Sequence, residues 1–161
     1  MLKMKTTLSL ITALFITGAG AEDLLPKKYQ LTTEVAEKIA KTAIAECKKS
    51  NAHVSVSVVN DQGRLVYFYR GNNTGSNTVH TSFRKAYTAA TLKVSTSVMS
   101  QMVEATGLSQ LGKMEDDVLL LTGGVPMFYQ DALVGAIGLS GSPNPKLEEI
   151  CGKKALELLE K

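Results

Sequence analysis

Four side chains with usable chemistry recur along one stretch of the chain: His80, Arg84, Tyr87 and Thr91. Their spacing of four, three and four residues returns each to the same side of a helix, so all four share one face. An imidazole, a guanidinium, a phenol and a hydroxyl on one face can serve a flat ligand that carries carboxylates. His80 is the metal ligand of the set, because a neutral imidazole is a good donor to a transition metal. Arg84 can pair with a carboxylate through two parallel N–H···O bonds. The same four residues also fit a solvated helix face with no ligand. In either case Val79, Phe83, Ala86 and Ala90 form the opposite, core-seeking face.

Other chemistry-bearing residues have plainer explanations. His53 opens a strand and reads as a surface or edge residue. Met99, Met102 and Met114 offer thioethers but read as core filler. Tyr67, Tyr69 and Tyr129 fall in strands, where packing accounts for them. Glu115, Asp116 and Asp117 are adjacent on an irregular segment and do not converge as an acid/base pair does, so they read as solvated surface or a weak cation site. There is no Gly-x-Ser-x-Gly elbow, no His-Glu-x-x-His and no cysteine beside an activating histidine, and no catalytic residue is assigned. Gly123-Gly124 leads into a strand rather than a helix, which is the wrong setting for a phosphate cradle. The two cysteines lack the spacings of a zinc site.

A length of 161 residues suits one domain. Residues 1–21 stand apart from it. Lys3 and Lys5 form a positive head, Leu8 to Ile16 an apolar centre, and Ala19-Gly-Ala21 a small-x-small end. The apolar run is far short of the roughly 20 residues that cross a bilayer. It reads as a cleaved secretory signal, which places the mature protein in the periplasm or outside the cell. Removing those residues takes two lysines and no acid, lowering the net charge from +3 to +1. The remaining basic residues are interleaved with acids, unlike the footprint of a nucleic-acid binder. No later segment could span a membrane.

Residues 22–30 form a polar, loose arm with Pro26, and 31–161 a single domain. Thr32 or Thr33 caps a first helix, along which Val35, Ala36, Ile39, Ala40, Ala43 and Cys47 make a buried stripe. Val54, Val56 and Val58 alternate with Ser55 and Ser57, the pattern of a half-buried strand. Asn60-Asp-Gln-Gly63 turns it into a partner strand over 64–70. Residues 71–77 read as a mobile surface loop. The helix that carries the candidate site spans about 78–92, and a weaker one 95–106. Two apolar runs then flank Gln130-Asp131 as a hairpin. Its second run places Gly135, Gly138 and Gly141 at every third residue, where backbone or ligand must come close. Asn144 as cap and Pro145 at the first position open a last helix, with Leu147, Ile150, Cys151, Ala155 and Leu158 on its inner side. Helices at both ends with antiparallel hairpins between them make an α+β domain, an antiparallel sheet flanked by helices.

The segment from Leu121 to Gly141 resembles the GlcG/HbpS family of small haem-binding-type domains, whose signature runs Gly-Gly-x-Pro, a hairpin, then Val-Gly-Ala-Ile-Gly-Val-Ser-Gly. The likeness extends to Val56–Leu65 and His80–Ala90 and spans 31–156. Ala132 departs from it, standing where the family has the glycine of an Asp-Gly turn, so a longer or differently typed turn is expected there. The resemblance implies a profilin-like arrangement with the first and last helices side by side. Cys47 and Cys151 then lie on facing stripes, as a disulfide in an oxidising compartment or as two small buried hydrophobes.

It also implies haem as the cofactor and a homo-oligomer, in a haem store, a sensing accessory or a haem-degrading factor. His80 would meet the iron and Arg84 a propionate, with Tyr87 and Thr91 beside them. Two rivals remain open. One is an accessory protein or enzyme for a small organic acid such as glycolate, with Arg84 binding the carboxylate and His80 as acid or base. The other is a structural homo-oligomer without ligand.

Overall fold

The computed structural model describes residues 27–160; the signal-like stretch 1–21 and residues 22–26 of the arm lie outside these. The elements in chain order are α1 (Thr33–Lys48), β1 (Ser55–Asn60), β2 (Leu65–Tyr69), α2 (Thr78–Leu92), α3 (Thr96–Thr106), β3 (Gly124–Tyr129), β4 (Ala132–Ser140) and α4 (Pro145–Leu156). The strands form one antiparallel sheet in the order β2-β1-β4-β3. The α+β reading holds.

The two faces of the sheet differ in the size of what they carry. Val56 and Val58 of β1 pair with Leu139 and Ile137 of β4, and all four are wholly buried. They meet Ile39, Ala40 and Ala43 of α1, with Cys151 and Ala155 of α4, in one apolar cluster. Each large aliphatic side chain so buried stabilises the fold by roughly 1.5–3 kcal/mol. Thr32 caps α1 by accepting from the Val35 N–H, and Asn144 caps α4 by accepting from the Lys146 N–H. The two helices lie side by side, joined by a Cys47–Cys151 disulfide with a Cα–Cα distance of 5.4 Å.

The opposite face is built from small residues and is covered by α2. Gly138 stands in register with Ser57 on one side and Gly124 on the other. A Cβ at Gly138 would lie 2.1 Å from the Ser82 carbonyl oxygen, and one at Gly124 would lie 2.2 Å from that of Lys85. The backbone of α2 therefore rests directly on a glycine pair. Ser57 Oγ and Ser82 Oγ are hydrogen-bonded at 2.9 Å across the contact. What comes close to Gly138 is thus a helix, not a ligand. Gly141 lies just past β4 at φ +133°, against the His53 carbonyl.

Several expectations need correction. The β3–β4 turn is tight, not long: Tyr129 pairs with Ala132, and Gln130 (φ 47°) and Asp131 (φ 62°) are both left-handed, as in a two-residue type I′ turn. The positive φ falls on those two residues and leaves Ala132 in the strand. Val35 and Ile150 are exposed rather than inward. Loop 71–77 is pinned at Thr74, whose hydroxyl donates to the Gly71 carbonyl and bonds Ser55 Oγ. The arm is tied down where it is described. Lys28 pairs with Asp61, the Tyr29 hydroxyl bonds the Gln130 side chain, and the Tyr29 and Tyr129 rings meet edge to face.

Candidate functional site

Because α2 lies over β1, β4 and β3, it leaves the same face of β2 open. A slot of about 520 Å³ runs between them. Leu65 and Phe68 of β2 form one wall, and Val79, His80, Phe83 and Tyr87 of α2 form the other. Ser57 is its floor, and the Gly63-Arg64 turn and Asp117 complete the lining. The volume lies within the roughly 300–1,000 Å³ typical of small-molecule sites. From His80 to Tyr87 the wall runs seven residues, about 10 Å along the helix axis.

Local chemistry fixes one end of the slot. Asn60 Oδ1 accepts from the Gln62 N–H at 3.0 Å and the Arg64 N–H at 2.9 Å, while the Asn60 N–H donates to the Arg64 carbonyl at 2.8 Å. Gly63 closes this turn at φ +75°, and a Cβ there would sit 2.7 Å from the Tyr87 ring. Glycine is needed for both reasons: the left-handed backbone and the flat ring pressed against it. Tyr87 also packs on Phe83, with ring centroids 6.1 Å apart.

Of the four residues placed on one face by their spacing, His80 and Tyr87 line the slot, and Arg84 and Thr91 do not. His80 is exposed, and neither ring nitrogen is hydrogen-bonded to a described residue. Arg84 turns away, and Nη2 donates to the Val118 carbonyl at 3.1 Å. Its Nε is buried without a hydrogen-bond partner. Thr88 Oγ1 accepts from the Leu119 N–H at 2.7 Å and donates to the Arg84 carbonyl at 2.7 Å. Together Arg84 and Thr88 clip residues 117–119 along α2, which brings Asp117 into the wall of the slot.

The expected core-seeking face is met in part. Ala86 and Ala90 are buried and Phe83 packs against their cluster while also lining the slot; Val79 lines the slot, and Ser82, Lys85 and Ala89 are buried as well. Asp117, expected on the solvated surface, is a lining residue. Met102 and Met114 are exposed rather than core filler. His53 is exposed, as expected of an edge residue.

Sequence reasoning missed a buried ion pair. Lys85 Nζ lies 2.6 Å from Glu148 Oε2 and donates to the Leu139 carbonyl at 2.9 Å. Glu148 Oε1 accepts from the Gly141 and Ser142 N–H groups at 2.8 and 2.9 Å. Burial pushes the Glu148 carboxyl above its usual range, and Lys85 and the two backbone donors oppose that rise. A Cβ on Gly123 would fall 2.8 Å from Glu148 Oε2 and 2.9 Å from Lys85 Nζ, so the glycine leaves room for the pair. The legible signals were a lysine in register with Ser82 and Ala89, and the Gly123-Gly124 step.

Residues 31–157 match the family described as haem degrading protein HbpS-like. The chain belongs to that family. A double mutant of HbpS from Streptomyces reticuli has the same fold, with TM-score 0.78 and 30% identity over 92% of this chain and 99% of that one. The PduOC:haem complex shares the fold at TM-score 0.72 and 20% identity, over 80% of this chain and 94% of its own. An uncharacterised 15.0 kDa protein from the dhaT-dhaS intergenic region of Citrobacter freundii is 28% identical over 114 residues, 69% of this chain and 80% of its own length.

Family membership makes haem the cofactor to test against the slot. The lining fits it: apolar and aromatic walls for a flat macrocycle, one uncommitted imidazole for iron, and a cation for an acidic edge. Among the described residues no helix is long and apolar enough to cross a membrane.

Proposed function

We propose that this protein is an exported haem-binding protein and that the slot between α2 and β2 is its site. The observation that carries the reading is an aromatic-walled cavity of about 520 Å³ with the free imidazole of His80 in its wall. His80 would hold the iron of a bound haem, as the imidazole in the slot wall. Phe68, Val79, Phe83 and the Tyr87 ring exclude water from the macrocycle, whose burial provides most of the binding free energy. Bound haem supplies redox and oxygen chemistry, as in a haem store, a sensing accessory or a haem-degrading factor.

Two comparisons support the choice of ligand: the family is described as haem degrading, and PduOC was crystallised with haem. Export is supported by the make-up of residues 1–21 and by a Cys47–Cys151 bridge, which persists in an oxidising compartment. Self-association belongs to the same reading, since Val98, Met102, Leu108 and Leu121 are left exposed. The glycolate-type alternative loses the support it drew from Arg84, which does not line the slot and whose Nη2 donates to the Val118 carbonyl.

Optical titration tests the proposal. Micromolar haem added to the purified protein should give a shifted Soret band with one-site saturation, and His80→Ala should lose or strongly alter it. No shift with the wild-type protein would end the haem reading.

A further inference from the structure

The slot has charged groups as well as apolar walls, and their placement gives it a direction. Arg64 is the one lysine or arginine among its lining residues. Its guanidinium has no hydrogen bond or ion pair with any described residue, whereas that of Arg84 is committed to Val118. The Arg64 backbone is fixed on both sides by Asn60, so the cation projects from an ordered turn beside the Tyr87–Gly63 contact. Asp117 lines the same slot from the segment clipped to α2, and the two opposite charges form no ion pair with each other. A carboxylate entering the slot is drawn to Arg64 and repelled by Asp117.

We infer that Arg64 is the specificity-determining residue of the site, receiving the carboxylate edge of a flat, acid-bearing ligand. This rests on the haem reading and adds to it an orientation and a selection rule. The slot discriminates the free acid from its neutral ester. A guanidinium suits the task because its planar fork matches a carboxylate through two parallel N–H···O bonds.

The test compares haem with haem dimethyl ester, which keeps the ring and the iron and lacks the charge. Affinities are measured for the wild-type protein, Arg64→Gln and Arg84→Gln. Arg64→Gln should weaken haem roughly tenfold, the scale of one charge-assisted hydrogen bond, and leave the ester nearly unchanged. Arg84→Gln should leave the acid-to-ester preference intact even if it lowers stability. Equal weakening of both ligands by Arg64→Gln, no weakening of either, or transfer of the preference to Arg84 would overturn the inference while haem binding stands. A wild-type protein that binds neither ligand would remove the haem reading itself, and this inference with it.

Discussion

Lys85 and Glu148 are 63 residues apart in sequence, yet their side chains meet at 2.6 Å with both almost wholly shielded from water. The pair ties α2, which forms one wall of the slot, to the start of α4 around the end of the sheet. A buried pair gains little over apolar residues of the same volume, but breaking one half leaves an uncompensated charge. Glu148→Met or Lys85→Met alone should therefore cost about 3–5 kcal/mol, and the double change Lys85→Met/Glu148→Met far less than the two losses added. Denaturant unfolding of the four proteins checks this; additive losses would contradict it.

The same carboxyl sets a pH dependence. Burial holds the Glu148 carboxyl above its ordinary 4.5 in the folded chain, so folding favours the protonated form. That contribution is complete below the ordinary value and is lost as the pH rises through the higher folded value. Wild-type stability measured against Glu148→Gln should thus fall as the pH climbs from about 4.5 through that raised value. A difference that is flat or of opposite slope would show that the carboxyl is not raised.

Across the sheet, Cys47–Cys151 closes a loop with a sequence separation of 104. Restricting so long a loop in the unfolded chain should stabilise the protein by about 2–4 kcal/mol. Cys47→Ser/Cys151→Ser should lose that much in chemical denaturation, and peptide mapping without reductant should recover a linked pair. Identical stability with and without reductant would contradict the prediction.

Gly138 is the seat of α2. A methyl group there would meet the Ser82 oxygen at 2.1 Å and the Ala86 nitrogen at 2.5 Å, both backbone atoms that yield only if the helix moves. Gly138→Ala should cost at least the roughly 1–3 kcal/mol of ordinary overpacking and weaken haem, since α2 also carries His80 and Tyr87. Gly112→Ala, whose methyl group would find only Leu120 at 3.7 Å, is the control and should stay within about 0.5 kcal/mol.

That seat also explains what could be read from the sequence. The bounds of α2 and the Asn144-Pro145 start of α4 were legible because capping and periodicity are local. The faces of α2 were legible in part: Ala86 and Ala90 seek the core and Phe83 packs against them, whereas Val79 lines the slot. The sheet accepts backbone against backbone over Gly138 and Gly124, which also buries Ser82 and Ala89, and periodicity alone did not show that contact. The place of the β3–β4 turn at Gln130-Asp131 was legible, but its tight type was not, since both residues adopt the left-handed backbone without glycine. Of the four residues that spacing put on one face, His80 and Tyr87 line the slot. Only the path of residues 117–119 shows that Arg84 is a clip and that Arg64 is the free cation.

The central claim is that haem enters the slot between α2 and β2, and backbone amide NMR during titration with a diamagnetic haem analogue tests it most directly. The account predicts that the largest shifts fall on Gly63, Arg64, Phe68, His80, Phe83 and Tyr87, with α1 and α4 unmoved. Shifts centred on the α1–α4 face or on α3, with those six amides unchanged, would contradict it.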